Sequence, residues 1–348
     1  MTLDPDRRAA LTAAKLAALV RGRWGQHLDH AERGGFPDGA TLIDRADGRT
    51  WVLVGADGDR RLGAAMAVGA RAGASELHVL TEVEAHAAVL ARRASCFEPA
   101  PMVWWVDGTE VRRAEAAPPA VDASAPPAAE ACRPALEAAG LDVVVEGGHL
   151  LGELRGLEVA RVVVDDTGIA RIEAGVGRFD REVGAMMFAD LAELDALARA
   201  VDQVDAVRRP GIERHPLNQL VPERWLRHAL VHRPDLVGAA WLRPVGSAVP
   251  RANLKDLGVA SAVGVDLDGG PLVVTCSTGV DLELVPSAAD DRLTHEPSAR
   301  LVLALPARDA MPITTDLARH LAEPAEVVAL AEGWQDEAGA PRSPDGAR

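Results

Sequence analysis

Residues 152–182, GELRGLEVARVVVDDTGIARIEAGVGRFDRE, constrain the fold more than any other stretch of the chain. Two runs rich in Val and Ile, residues 157–164 and 169–176, flank the turn-forming tetrapeptide Asp165-Asp166-Thr167-Gly168 and predict a β-hairpin. Carboxylates interrupt its apolar alternation. With Val164 opposite Ile169, Val162 pairs with Arg171, Ala160 with Glu173 and Glu158 with Gly175, which places Glu158 and Glu173 on one face as diagonal neighbours. Such neighbours lie roughly 7 Å apart at the backbone. Two Glu side chains can then share one divalent cation, whereas a slip of one residue sends them to opposite faces.

A chain of 348 residues exceeds what one core supports, so two or three domains are expected. With 48% hydrophobic and 26% charged residues it is globular, and no apolar run reaches the length of a membrane span. The opening MTLDPDRRAALTAAKLAALV lacks the layout of a secretion signal, so a cytoplasmic location is expected. Cys96, Cys132 and Cys276 are odd in number and widely spaced, which argues for reduced thiols over a disulfide framework or a thiolate zinc site. The net charge of −15 does not support nucleic acid as a partner, although a local basic groove is compatible with it. A protein partner fits the acidity as well, and no membrane partner is expected. Lysine occurs only at Lys15 and Lys255 while Arg and Ala abound, as in proteins from high-GC genomes.

The expected fold class is α/β, multidomain, with mixed sheets flanked by helices. Residues 1–113 read as an N-terminal α/β domain: an amphipathic helix over 5–28, a hairpin over 41–46 and 50–55, a helix over 61–71, a strand over 76–81, a helix over 86–95 and a strand over 102–106. Trp104 and Trp105 on that last strand point to opposite faces. Residues 114–131, rich in Ala and Pro, form a linker. Residues 132–209 form a middle α/β unit with the order helix, three strands, helix. Residues 210–333 form a C-terminal α/β domain with strands at 241–245, 260–267, 272–276 and 300–305 and a helix near 281–292, and residues 334–348 a disordered tail. Residues 41–81 and 241–305 show the same succession of elements and read as related units.

Several clusters carry chemistry, each with a plainer reading beside it. His27, His30 and Glu32 have metal-ligand character but fit a solvated helix end. Gly55-Ala56-Asp57-Gly58-Asp59 resembles a phosphate-binding turn, yet its two Asp residues repel an anion. His228 and His232 share a helix face, but no carboxylate partner is evident, so a structural pair is the expectation. Arg214, Arg224 and Arg227 suit phosphate, and equally suit salt bridges to the surrounding acids. Cys276-Ser277-Thr278-Gly279 before a helix reads as an N-cap in preference to a reactive thiol.

The succession of helix, strands and helix around Gly156-Leu157-Glu158 and Ile172-Glu173-Ala174-Gly175 resembles the core of the restriction-endonuclease-like superfamily, whose signature is an acidic residue on one strand and E-x-K on the next. The resemblance covers roughly 70 residues of the chain. It implies a restriction-endonuclease-like middle unit and a metal-dependent phosphodiesterase, with Glu158 and Glu173 as metal ligands and Glu153 or Asp180 as a further carboxylate. Mg²⁺ or Mn²⁺ is the implied cofactor, activating water and stabilising the departing charge. Gly175 stands where the family has its catalytic lysine, and Arg171 or Arg178 is the nearest substitute cation, although Arg is a poor proton acceptor. The whole chain also resembles proteins of high-GC bacteria, which implies no activity.

Two functions follow. One is a metal-dependent, nuclease-like hydrolase using Glu158, Glu173 and Arg171, or its degenerate relative. The other is a noncatalytic scaffold for a protein partner or small ligand, with Glu158 and Glu173 paired to Arg155, Arg161 or Arg171.

Overall fold

The computed structural model describes residues 4–25, 28–121, 123–177, 192–212, 215–249 and 253–337. It is a mixed α/β structure built on three sheets flanked by helices. By contact density the chain divides into two compact units. One takes residues up to Pro119 together with Leu282–Asp290 and Pro312–Ala325, and the other takes Ala120–Asp281, Asp291–Met311 and the chain from Glu326.

The first sheet has the order β1 (Glu32–Phe36), β2 (Gly39–Asp44), β3 (Arg49–Val54), β4 (Glu76–Thr81), β5 (Met102–Asp107) and β6 (Glu110–Arg113). Strands β1 to β3 form an antiparallel meander, β3, β4 and β5 are parallel, and β6 returns antiparallel. Parallel neighbours need crossovers, which α2 (Leu62–Ala72) and α3 (Glu84–Ala94) provide. The opening helix α1 (Pro5–Trp24) ends at Gly25 in the left-handed conformation, which only glycine adopts without strain. Its apolar stripe, Leu16, Leu19 and Val20, packs with Leu42, Trp51, Leu53, Leu80 and Trp104. Trp104 is buried and Trp105 half-buried beneath Arg112, as strand alternation requires.

His78 on β4 lies inside this core, stacked on Trp51 and accepting a hydrogen bond from Trp104 Nε1 at 3.1 Å. Burial drives its pKa down to about 4, against the opposing charge of Glu76. The unfolded chain, with an ordinary imidazole near 6.5, therefore binds the proton first, and stability is lost as pH falls from about 6.5 toward 4. This amounts to about 2 to 3 kcal/mol. Urea unfolding of wild type and His78→Gln across that window should show the slope shrinking in the variant; equal slopes would refute the assignment.

The third sheet repeats the first. Its order is β11 (Ala239–Val245), β12 (Ala260–Asp266), β13 (Pro271–Cys276), β14 (Arg300–Pro306) and β15 (Glu326–Leu330), with β11 to β13 antiparallel and β13 to β15 parallel. A helix again precedes the meander, and helices again link the parallel strands: α7 (Pro222–His232), α8 (Leu284–His295) and α9 (Pro312–Arg319) occupy the chain positions of α1, α2 and α3. One connectivity has been used twice, as the recurrence over 41–81 and 241–305 led us to expect. Trp225, Leu226, Ala229 and Leu230 of α7 form the core with β11 to β14 and with Trp334, which is 5% exposed on the short helix α10 (Trp334–Glu337). Burial of Trp334 keeps the chain ordered at the point where the sequence predicts a disordered tail. Residues 338–348 lie outside the described residues.

The middle sheet is an antiparallel meander of β7 (Asp142–Glu146), β8 (His149–Leu154), β9 (Leu157–Val164) and β10 (Ala170–Ala174). Helices α4 (Pro127–Glu130), α5 (Arg133–Ala138) and α6 (Glu193–Asp205) supply Ala129, Leu136, Leu197 and Val204 to the core on one face. Three strands are predicted here; β8 is the additional one, its strand pattern broken by His149, Gly152 and Glu153. A Cβ at 152 would come within 2.7 Å of Leu141 Cδ1, so a larger residue there would have to displace the Leu141 side chain.

The expected hairpin forms, with a corrected register. Val164 faces Ala170 and not Ile169, so Glu173 pairs with Arg161 and Ala174 with Ala160. A slip of one residue should separate Glu158 from Glu173, but a bulge intervenes. Gly152 pairs with Ala160 while Glu153 pairs with Glu158, leaving Val159 as an extra residue. Val159 and Ala160 are consecutive and both fully buried in the same core. The alternation is thereby rephased, and Glu158, Arg161 and Glu173 share the face opposite that core.

Candidate functional site

The face of the middle sheet opposite its core carries Asp142, Glu146, Glu153, Glu158 and Glu173. Asp142 pairs with Glu153 across β7 and β8, and Glu153 with Glu158 across β8 and β9. Like charges in such a row repel, so the face needs cations, and α7 delivers them. Arg224 Nη1 donates to Glu153 Oε1 at 2.8 Å, and its Nη2 donates to Glu146 Oε2 at 2.7 Å. Arg227 pairs with the other oxygen of Glu153 and donates to the Val245 carbonyl at 2.9 Å. Glu153 is 1% exposed and both arginines are under 10%. Burial works against the Arg224 charge, but Glu153, Glu146, Glu223 and Glu158 outweigh it and raise its pKa above the ordinary guanidinium value.

The turn between β8 and β9 fixes where α7 lies. Arg155 (φ 46°) and Gly156 (φ 74°) are both left-handed, as in a type I′ hairpin turn. A Cβ on Gly156 would sit 2.2 Å from the Arg224 carbonyl carbon and 2.5 Å from the Trp225 nitrogen. The first turn of α7 therefore rests on bare backbone. Arg208, which is fully buried, donates to the Arg155 and Leu220 carbonyls and lies 4.8 Å from the Trp225 ring centroid. Burial lowers its pKa to about 10, so it keeps its charge at neutral pH.

The candidate ligands of the hairpin have partners of their own. Glu158 is held by Arg161 through two hydrogen bonds of 3.0 and 3.1 Å, a contact made when the bulge brings residues three apart onto one face. Glu173 receives Arg171 Nη2 at 2.9 Å, and Arg161 stands opposite it. Arg155 goes elsewhere, to Asp205 at 2.7 Å. Asp180, Arg178 and Arg214 lie outside the described residues. Gly175, where the resemblance would place lysine, has φ 139° and donates its N–H to the Val159 carbonyl at 2.8 Å.

Other sequence candidates are absorbed by the structure. Glu32 pairs with Arg45 at 2.9 Å, and His27 lies outside the described residues. The N-terminus of α2, beyond the Gly55–Asp59 turn, holds an anion that the chain itself supplies: Gly63 and Ala64 N–H donate to Glu283 Oε1 at 2.7 and 3.2 Å. An acid at a helix N-terminus satisfies the amides that a phosphate would otherwise take. Cys276 is fully buried at the end of β13, where burial pushes its thiol up to about 12, and α8 begins eight residues later at Leu284. It is neither a thiolate nor part of a helix cap.

His228 and His232 share one face of α7, as their spacing predicts. The carboxylate partner that the sequence did not reveal is Asp142 on β7: His228 Nδ1 lies 2.5 Å from Asp142 Oδ2, and His232 Nε2 lies 3.9 Å from Asp142 Oδ1. Only the packing of α7 on the acidic face joins residues 86 positions apart. Asp142 also lines a cavity of about 370 Å³ with Arg133, Glu137, Leu141, Val145 and Leu242. That volume lies at the small end of ligand-binding pockets.

Among the described residues no helix is long and apolar enough to cross a membrane. Comparison of the chain with protein-family models, with curated proteins and with solved structures found no match.

Proposed function

We propose that the chain is a noncatalytic α/β scaffold that binds a small ligand, in preference to an active phosphodiesterase. The observation that carries this reading is the saturation of the acidic face by the chain's own arginines: Glu158 by Arg161, Glu173 by Arg171, and Glu153 by Arg224 and Arg227. A carboxylate engaged by a guanidinium must surrender that pairing before it can hold Mg²⁺ or Mn²⁺. Glycine at 175 supplies no cation for a nucleophile or a scissile phosphate. The use of one connectivity in two sheets also suits a binding framework, and the cavity beside Asp142 offers a concave surface of mixed polarity with charged groups at hand. The free thiols of Cys96, Cys132 and Cys276 fit a reducing cytoplasm.

The test is turnover. Purified protein is incubated with Mg²⁺ or Mn²⁺ and either bis(p-nitrophenyl) phosphate or labelled single-stranded, duplex and four-way-junction DNA. We expect no metal-dependent cleavage above buffer. Cleavage that requires the metal and disappears in both Glu158→Ala and Glu173→Ala would replace this reading with the hydrolase.

A further inference from the structure

His228 and His232 stand four residues apart on α7, so their side chains share one face, with ring centroids 4.2 Å apart. Asp142 completes a trio in which one ligating atom from each residue lies within 4.8 Å of the other two. The hydrogen bonds around these rings decide which atoms present lone pairs. His232 Nδ1 lies 2.9 Å from the His228 carbonyl, and since a carbonyl oxygen can only accept, Nδ1 carries the hydrogen and Nε2 of the neutral ring carries the lone pair. A backbone carbonyl that fixes the tautomer in this way is a recurrent support for metal-bound histidine.

That lone pair is 3.9 Å from Asp142 Oδ1, beyond hydrogen-bond reach. Two acceptors therefore approach each other with a gap that two metal–ligand bonds of about 2.0 to 2.1 Å would span. The His232 side chain is 48% exposed and gives an ion access from solvent, while the Asp142 and His228 side chains are 16% and 12% exposed.

We infer that Asp142, His228 and His232 form a binding site for a borderline transition-metal cation, with Zn²⁺ the best match. Two imidazoles and one carboxylate suit Zn²⁺ or Co²⁺, whereas Mg²⁺ and Ca²⁺ prefer all-oxygen shells. On uptake, the proton between His228 Nδ1 and Asp142 Oδ2 passes to solvent and the freed nitrogen lone pair becomes the third donor. Three protein ligands leave a fourth position for water or a small ligand. Pairing of Asp142 with a protonated His228 accounts for the 2.5 Å contact but leaves the second carboxylate oxygen 3.9 Å from His232 Nε2, beyond hydrogen-bond reach. This site goes beyond the scaffold reading and does not depend on it, because it uses none of the hairpin carboxylates.

The experiment is calorimetric titration of Zn²⁺ into the untagged full chain, repeated in buffers of differing ionisation enthalpy. The expected result is one Zn²⁺ per chain, with buffer-dependent heat reporting proton release. Affinity should fall at least tenfold in both His232→Ala and Asp142→Asn and stay unchanged in Glu158→Ala. Circular dichroism on both weakened variants should match wild type, since His232 is half-exposed and Asn preserves the shape of Asp. Absence of 1:1 binding, or binding retained in both variants, would overturn the inference. Mg²⁺-dependent cleavage lost in Glu158→Ala would overturn the scaffold reading and leave this site standing.

Discussion

Replacing Glu153 with Gln is expected to lower stability by about 3 to 5 kcal/mol, the usual cost of stranding a buried charge. The substitution keeps the volume and removes only the charge that holds Arg224 and Arg227. Arg224 keeps Glu146, at 2.7 Å, but among the described residues Arg227 keeps only the Val245 carbonyl as a hydrogen-bond partner. Urea unfolding followed by far-ultraviolet circular dichroism would measure the loss, and a change under about 1 kcal/mol, the range of exposed pairs, would contradict the buried network. Because a buried pair is costly mainly when broken, the double variant Glu153→Gln/Arg227→Met should recover a large part of the loss. If the double variant is as unstable as the two single losses added, Glu153 and Arg227 do not act as a pair.

The second large effect is expected at Gly156. A Cβ there meets three backbone atoms of Arg224 and Trp225 at 2.2 to 2.5 Å, and the residue adopts φ 74°. Left-handed strain and overpacking together cost about 3 to 5 kcal/mol in Gly156→Ala. Gly168, at φ 83° in the β9–β10 turn with open space around it, isolates the first contribution. Gly168→Ala should lose only about 1 to 2 kcal/mol. Comparable losses at the two sites would mean that α7 does not rest on the β8–β9 turn. The difference matters for function, because the helix whose start touches Gly156 carries His228 and His232 to Asp142 further along.

Much of the fold was legible from residue order. The β4 strand Glu76–Thr81 falls at the residues predicted for the strand after the 61–71 helix, and the 157–164 and 169–176 runs pair around Asp165-Asp166-Thr167-Gly168. These features are local: a period of two, a turn tetrapeptide and a glycine after a helix are written within a few residues of where they act. The recurrence of helix, meander and crossover in the two outer sheets is legible for the same reason. The arginine-rich start of α7 and the acidic hairpin are also both visible in the sequence, and one plain reading of those arginines is as partners of nearby acids.

What residue order could not specify is which acid each arginine meets and where the faces of a strand change phase. The bulge at Val159 cancels the one-residue slip of the hairpin, so Glu158 and Glu173 share a face for a reason other than the register that predicts it. Bulges arise where packing on both sides of a strand is settled, and their cause is not confined to the bulged residue. The same holds for Glu283, whose anion caps a helix 220 residues earlier, and for Asp142, which meets His228 across 86 residues. By itself the sequence determined the elements, their periodicity and the supply of charged side chains. The tertiary structure alone decided the partners, because an ion pair or a ligand trio depends on distances in space, and the chain between its members places no short-range constraint on them.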